Sequence, residues 1–279
     1  MNTPLCRSLL TYTIIGVSIV SCSSENAGSE NQNDEHAVHW GYEAENGPNV
    51  WGSMSPDWST CAEGLGQSPI DITSATKGDL PAVEFDIPNG QEVEVLNQGG
   101  VISELDNGHT IQINAKTGEK LTVGDKSYSL VQFHFHAPSE HTVDGEHFPM
   151  EMHFVHQAED GALAVLGLLL EEGFANPGIE PLWANLSAGA GTEVAIEVPA
   201  EFAEHVFPNV GSGFYHYDGS LTTPPCSEGV NWYVRRTPTQ LSKEQIAAFT
   251  AVYDHNNRPV QALNDRTLYV DENPSVVIR

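Results

Sequence analysis

The sequence is poor in basic residues, in long apolar runs and in cysteine. It has 11 lysines and arginines against 38 aspartates and glutamates, which gives a formal net charge of -27. A chain this acidic is not expected to bind nucleic acid or an anionic membrane surface directly, because like charges repel. Its 279 residues and ordinary apolar content suffice for one large domain or two small ones.

An apolar run of about a dozen residues, LLTYTIIGVSIV, follows a short basic N-terminus. A membrane-spanning helix needs about 20 such residues, so the pattern predicts a secretory signal instead. The run ends in IVSC, which resembles a bacterial lipoprotein processing site with Cys22 as the lipidated first residue. Residues 1–22 are therefore predicted to be a lipoprotein signal peptide. A plain secretory signal cut elsewhere is the alternative.

Residues 23–37 are polar, lack apolar periodicity and predict a flexible tether, so the folded domain is expected to span 38–279. We therefore expect an exported protein of the bacterial cell envelope that touches a membrane only through lipid at Cys22. The residue after it, Ser23, lacks the aspartate associated with inner-membrane retention. This favours a periplasm-facing lipoprotein of the outer membrane.

The chain has four cysteines, at positions 6, 22, 61 and 226. Signal processing would remove Cys6 and lipid would occupy Cys22, which leaves one pair. Disulfides persist in the compartments that exported proteins reach. We therefore predict a Cys61–Cys226 disulfide.

Short apolar stretches separated by Gly, Pro, Asn and Asp predict a mainly β domain. The predicted strands lie at 92–96, 109–113, 120–123, 129–136, 150–156 and 162–170, and the last is apolar on both faces, as in a buried central strand. DNGH at residues 106–109 predicts a hairpin turn. Ser242 and Gln245 predict a capping box at the start of a helix, and a shorter helix is expected at 180–187.

Three histidines in two predicted strands have the spacing of a metal site. In QFHFH, residues 132–136, Gln132, His134 and His136 share one face, with the two histidine Cα atoms about 6.6 Å apart. A nearby strand, EMHFVH, puts His153 on one face with Glu151. Three imidazoles suit Zn²⁺ and leave a fourth position open, as in a catalytic site.

Gln132 and Glu151 each precede a candidate ligand by two residues on the same face. They are predicted to bond the outer ring nitrogens of those histidines. The alternative interpretation is that the two alternating histidines lie on a solvated strand face or bind metal adventitiously.

Several motifs in order make the chain similar to the α-class carbonic anhydrases from His39 to about Arg266. They are HWGY (39–42), GQSPIDI (66–72), NGH (107–109), QFHFH (132–136), SEHTVDG (139–145), EMHFVH (151–156), GSLTTPPC (219–226) and NNRPVQ (256–261). The resemblance implies one domain with a large, twisted, mostly antiparallel central sheet and short peripheral helices. It also implies reversible hydration of CO₂ to bicarbonate and a proton by zinc-bound hydroxide.

The resemblance assigns roles to named residues. The zinc ligands would be His134, His136 and His153, and catalysis would use the proton shuttle His109 together with Glu140 and Thr222. Thr222 would accept a hydrogen bond from the zinc-bound hydroxide and donate its own proton to Glu140. Substrate would contact Val155, Val165, Leu221, Thr222, Thr223 and Trp232. Tyr42 and Asn107 would order water. Cys61 and Cys226 match a disulfide of exported members. His141 and His156 match buried structural histidines.

The resemblance further implies inhibition by aryl sulfonamides and small anions at the open zinc position. Two other functions compete with it: a non-catalytic carbonic anhydrase-like binding module and a zinc-buffering lipoprotein. Binding modules of this kind typically lose a zinc histidine, and a zinc buffer needs neither a gatekeeper threonine nor an apolar pocket. The chain keeps all three histidines as well as Glu140, Thr222 and His109. The sequence predicts no oligomeric state.

Overall fold

A computed structural model describes most of the chain beyond the N-terminal segment. The described residues are 38–85, 92–99, 106–114, 119–184, 186, 193–197, 201–207, 213–271 and 276–278. All of them fall in one compact unit. The predicted signal peptide, Cys22 and the tether lie outside the described residues. Within the described part, no helix is long and apolar enough to cross a membrane.

Strands dominate this unit, as predicted. The strands are β1 Asp71–Ile72, β2 Thr76–Gly78, β3 Val83–Phe85, β4 Glu92–Gly99, β5 Asp106–Asn114, β6 Lys120–Val123, β7 Lys126–His136, β8 Thr142–Val143, β9 Glu146–His147, β10 Met150–Gln157, β11 Leu163–Glu172, β12 Glu193–Glu197, β13 Phe214–Ser220, β14 Glu228–Arg235, β15 Thr239–Leu241, β16 Tyr269–Asp271 and β17 Val276–Ile278. The helices are α1 Trp51–Met54, α2 Thr60–Glu63, α3 Glu180–Trp183, α4 Phe202–Val206 and α5 Lys243–Thr250, with a 3₁₀ turn at Pro56–Trp58.

One large mixed sheet organises the fold. Its main path runs β12-β4-β5-β7-β10-β11-β14-β13-β16-β2, and β1, β8 and β9 form a separate small sheet. Among the described strands, ten of fifteen pairings are antiparallel. This confirms the mostly antiparallel prediction. The buried strand predicted at 162–170 is also confirmed, because β11 is buried along nearly all of its length.

A β-bulge in β7 changes which side chains of that strand face the main core. His156 of β10 pairs with Leu130, whereas Val155 pairs with Gln132, so Val131 is an extra residue. An extra residue inverts the side-chain alternation beyond it. Before the bulge the even-numbered Leu130 packs in the main core, and after it the odd-numbered Phe133 does so. The even-numbered residues from position 132 onward therefore face the opposite side, where the predicted site lies.

The hairpin turn predicted at residues 106–109 is wrong. These residues lie in β5, whose pairing with β4 extends back to Asp106 opposite Gly99. Cross-strand pairing here overrides the local turn preference of Asn-Gly. The connection between the two strands, residues 100–105, lies outside the described residues.

The helix predictions hold with different precision. Ser242 Oγ accepts the N–H of Gln245 at 3.2 Å, and Gln245 Oε1 accepts the N–H of Ser242 at 3.1 Å, which confirms the capping box of α5. The second helix, α3, covers only Glu180–Trp183, the first half of the range predicted for it.

Candidate metal centre and active site

Three imidazoles meet on the face of β7 and β10 opposite the main core. His153 pairs directly with His134 across the two strands, and His136 lies two residues further along β7. The ring centroids are 4.6 to 5.2 Å apart. One nitrogen from each ring lies within 4.8 Å of the others. The geometry therefore allows all three imidazoles to bind one ion, as the strand pattern predicted.

Hydrogen bonds on the outer ring nitrogens fix which nitrogen faces the cluster. His134 Nδ1 donates to Gln132 Oε1 at 2.8 Å, and His136 Nδ1 donates to the carbonyl oxygen of Asn256 at 2.7 Å. Because both partners are acceptors, Nδ1 carries the proton and Nε2 keeps its lone pair. Gln132 thus makes the contact predicted for it, and Nε2 is the free ligand atom on both rings.

Glu151 orients the third histidine and anchors a buried network behind it. Its Oε1 accepts from His153 Nε2 at 2.9 Å and from His141 Nδ1 at 2.8 Å, which leaves His153 Nδ1 for the cluster. His141 Nε2 in turn contacts the Tyr217 hydroxyl at 2.7 Å. Burial by itself would raise the pKa of Glu151, but His141 and His153 hold it well below its usual value. A charged carboxylate therefore backs this ligand.

The cluster has the buried, unpaired atoms that a cation would satisfy. His136 Nε2 and Glu140 Oε2 are both buried without a hydrogen-bond partner and lie 3.6 Å apart, and Glu140 Oε2 lies 3.9 Å from His153 Nδ1. Burial, reinforced by the neighbouring imidazoles, lowers the pKa of His134 and of His136, which favours the neutral form that binds metal. Three imidazoles whose inner nitrogens converge fit Zn²⁺.

Glu140 and Thr222 are both buried, but they do not make the contact predicted for them. Glu140 is fully buried, and its Oε1 accepts the backbone N–H of Arg258 at 2.9 Å. Thr222 is buried in the segment that follows β13. The bond expected from Thr222 is not seen at either oxygen: Oε1 accepts from Arg258, and Oε2 has no hydrogen-bond partner.

His109 lies beside the cluster in a cavity of about 190 Å³ whose wall includes Tyr42, Gln132, His134, His136 and Thr223. Its ring stacks on Trp40 with centroids 3.7 Å apart and planes 2° from parallel. Neither ring nitrogen has a hydrogen-bond partner. Burial lowers the pKa of His109 to about 3, well below the near-neutral value of a proton carrier. Asn107 lies in β5, but its side chain is outside the described part of the chain.

The predicted substrate wall forms one apolar cluster. Val165 and Trp232 are buried in it, and Val155 and Leu221 pack against it half-buried. The strands explain this: Val165 pairs with Val155 on one side and with Trp232 on the other. The Trp232 ring lies 4.9 Å from the His153 ring, so the apolar wall adjoins the metal cluster.

The disulfide prediction is confirmed. Cys61 and Cys226 are bonded, with their Cα atoms 5.0 Å apart. Gln67 Nε2 donates to the carbonyl of Cys226, and Arg258 Nη2 donates to the carbonyl of Cys61. The same Arg258 binds Glu140 through its backbone, so the disulfide is connected to the site.

Sequence reasoning missed four residues that shape this site: Trp40, Gln112, Asn256 and Arg258. Trp40 and Gln112 line the cavity, and Gln112 Nε2 donates to Asn114 Oδ1 at 2.7 Å. Asn256 and Arg258 lie in the NNRPVQ stretch, which carried only the resemblance. A consecutive Asn-Asn-Arg far from any predicted strand was the available signal.

Comparisons with known proteins agree with this geometry. A sequence profile described as eukaryotic-type carbonic anhydrase matches residues 46–272. A carbonic anhydrase of Pectobacterium carotovorum is 41% identical over 233 residues, which cover 83% of this chain and 91% of the relative. The α-carbonic anhydrase from Thermovibrio ammonificans, solved with the inhibitor sulfanilamide, is 40% identical with a TM-score of 0.75, and the match covers 83% of this chain and 99% of that one.

A carbonic anhydrase from Chlamydomonas reinhardtii, solved in complex with acetazolamide, is 34% identical with a TM-score of 0.69. That match covers 83% of this chain and 98% of the other. The profile spans more than half of the chain, and the relatives match over nearly their whole length. The chain therefore belongs to the eukaryotic-type, α-class carbonic anhydrase family and has carbonic anhydrase activity.

Proposed function

We propose that the enzyme hydrates CO₂ reversibly to bicarbonate and a proton with Zn²⁺ held by His134, His136 and His153. The observation that carries this proposal is the set of three imidazoles whose outer nitrogens are bonded and whose inner nitrogens lie within 4.8 Å of one another. Zn²⁺ bound there supplies a nucleophile at neutral pH, because it lowers the pKa of a coordinated water to about 7.

The chain's own residues would position the reactants. Glu140 Oε2, buried and unpaired, is the acceptor we assign to the Thr222 hydroxyl, which would then orient the nucleophile. CO₂ is apolar, so the cluster of Val155, Val165, Leu221 and Trp232 is its proposed wall. Thr223, which lines the cavity, would contact bicarbonate.

Proton export is assigned to His109, with Tyr42 and Asn107 ordering the water between it and the metal. A pKa of about 3 leaves the stacked ring neutral at pH 7, unable to hold a proton. We therefore propose that the ring leaves Trp40 for a more hydrated position when it accepts a proton, since hydration restores a pKa near 6.5.

Metal removal tests the reaction. Stopped-flow CO₂ hydration should be lost after chelation and return with added Zn²⁺, together with zinc bound at one ion per chain. Zinc binding without CO₂ hydration would support a zinc buffer instead. Loss of both properties in the untreated protein would support a non-catalytic binding module.

Aryl sulfonamides and small anions are proposed inhibitors of this enzyme. Two structural relatives were solved with such compounds, sulfanilamide and acetazolamide. Binding of a sulfonamide and binding of a small anion should exclude each other, because both would use the open metal position.

The cellular location remains a proposal. We infer that the chain is exported and anchored to the outer membrane, facing the periplasm, through lipid at Cys22, because IVSC ends the N-terminal apolar run. Replacing Cys22 by Ser should move the protein from the membrane fraction to the soluble periplasmic fraction. An unchanged distribution would contradict the anchor.

A further inference from the structure

Strand β5, which carries His109, separates beside the site from β7, the ligand strand that carries His134 and His136. Backbone pairing between β5 and β7 covers only Asn114↔Gln132, Ile113↔Phe133 and Gln112↔His134. His109 and Thr110 lie beyond the end of this ladder, although they remain in β5 and buried. Their distance from β7 must therefore be set by something other than backbone hydrogen bonds between the two strands.

Two side chains bridge this gap. Thr110 Oγ1 donates to the carbonyl of Phe135 at 2.5 Å and accepts the N–H of Phe135 at 3.2 Å. Asn256 Nδ2 donates to the carbonyls of His109 and Phe135, at 2.5 and 3.0 Å. These contacts take the place of the missing ladder bonds and join the backbone of His109 to the strand between the two metal-binding histidines.

Asn256 uses its remaining polar atoms on His136, the last residue of β7, and on Ala137, which follows it. Its Oδ1 accepts the N–H of Ala137 at 2.7 Å, its N–H donates to the carbonyl of Ala137, and its carbonyl accepts from His136 Nδ1. The residue is 2% exposed. Because every donor and acceptor is engaged in a buried setting, loss of one bond leaves a partner unsatisfied, and the others constrain where the residue can move.

We propose that the Asn256 side chain is a positioning residue that, with Thr110, sets the place of His109 relative to the metal centre. This inference rests on the proposed function, in which His109 exports the proton. It predicts that a defect in this side chain affects two properties at once. Proton transfer changes through the backbone of His109, and zinc affinity changes because the backbone carbonyl of Asn256, which accepts from His136 Nδ1, shifts with the residue. A defect at Thr110 should affect proton transfer alone.

The first test is Asn256→Asp, which keeps the shape but replaces the Nδ2 donor by an oxygen facing two carbonyl oxygens. Zinc affinity, measured by competition with a chelator, should fall by about tenfold. At low buffer kcat should also fall by about tenfold, recover in part with imidazole, and leave KM unchanged. A role confined to stability would not produce imidazole rescue.

Asn176→Asp is the matched control. Asn176 is likewise buried, and its Nδ2 also donates to two carbonyls, those of His205 and Gln240. The same chemical change there should lower the melting temperature. It should leave the zinc dissociation constant and the imidazole response at wild-type values.

Thr110→Val provides a second, isosteric variant at the other bridge. It should reduce kcat at low buffer, respond to imidazole and retain wild-type zinc affinity. This variant decides the matter alone if Asn256→Asp does not fold. The proposal is wrong if neither variant differs from Asn176→Asp in its imidazole response. A wild-type protein that binds zinc but does not hydrate CO₂ would contradict the proposed function instead. The zinc affinity of Asn256→Asp would still test whether the side chain holds the backbone carbonyl that accepts from His136.

Discussion

The histidines that line the site differ from those of the surrounding core in the hydrogen bonds of their ring nitrogens. In the core, His141 bonds Glu151 and Tyr217 through its two ring nitrogens, and His156 Nδ1 donates to the carbonyl of Phe154 at 3.0 Å. At the metal cluster each imidazole uses one nitrogen outward and keeps the other free. His109 uses neither nitrogen.

This difference separates three roles that burial alone does not. An imidazole with both nitrogens bonded has no lone pair to give and serves the packing of the fold. One with a single outer bond has a fixed tautomer and a lone pair held in one direction, which a metal site needs. One with no hydrogen bond to protein, as His109, is held only by packing, here by its stack on Trp40.

The largest effect should follow from removing an imidazole of the metal cluster, in which one ring nitrogen is hydrogen-bonded and the other is free. His134→Ala leaves two imidazoles for the ion, so we expect loss of bound zinc. CO₂ hydration should fall by more than about a hundredfold, because loss of a ligand costs more than loss of the group that hydrogen-bonds a ligand. Zinc content and stopped-flow rates measure this. His255→Asn, at a side chain that is 78% exposed, is the control and should leave both unchanged. Full activity in His134→Ala would refute the ligand assignment.

Removing the His109 ring, which makes no hydrogen bond to protein, should reduce kcat less, and the reduction should depend on the buffer. His109→Ala should keep its zinc and lower kcat at low buffer by about a hundredfold, the low end of the range for proton-transfer groups. Added imidazole should restore part of the rate. If the ring stays in the Trp40 stack during turnover, the substitution will have no effect on kcat, and another group carries the proton.

A core histidine away from the metal cluster, such as His156, should affect stability rather than catalysis. Burial lowers the pKa of His156 to about 4, whereas an unfolded histidine titrates near 6.5. Between these values the unfolded chain binds more protons, so the free energy of unfolding falls as pH falls through this window, by up to about 1.4 kcal/mol per pH unit for this group.

Urea unfolding of metal-free protein at pH 7 and pH 5 tests the prediction. His156→Asn cannot titrate and should show a smaller loss of stability between the two pH values than the wild type, whatever its stability at pH 7. An equal loss in both proteins would show that His156 does not carry the effect.

Much of the site could be predicted because strand periodicity places its residues. Alternation in QFHFH and EMHFVH put His134, His136 and His153 on one face together with their partners Gln132 and Glu151, and the pairing of β7 with β10 confirms that arrangement. The capping box of α5 and the Cys61–Cys226 bond were also predictable. A cap is decided within four residues, and the predicted removal of Cys6 and lipidation of Cys22 left two cysteines to pair.

The contacts made across long sequence distances were not predictable. Asn256 reaches His136 over 120 residues and His109 over 147, and no local pattern records which carbonyl it will meet. The Asn-Gly turn expected at residues 106–109 became strand for the same reason, because β4 supplied a pairing partner.

The sequence by itself determined which residue types lie on each strand and, through the period of two, which of them share a face. Only the tertiary structure decided which face became the cleft, since the extra residue Val131 inverts the alternation along β7. It also decided which nitrogen of each histidine stays free. Both outcomes depend on partners brought together by the sheet, and hydrogen bonds to distant groups have no signature in local periodicity.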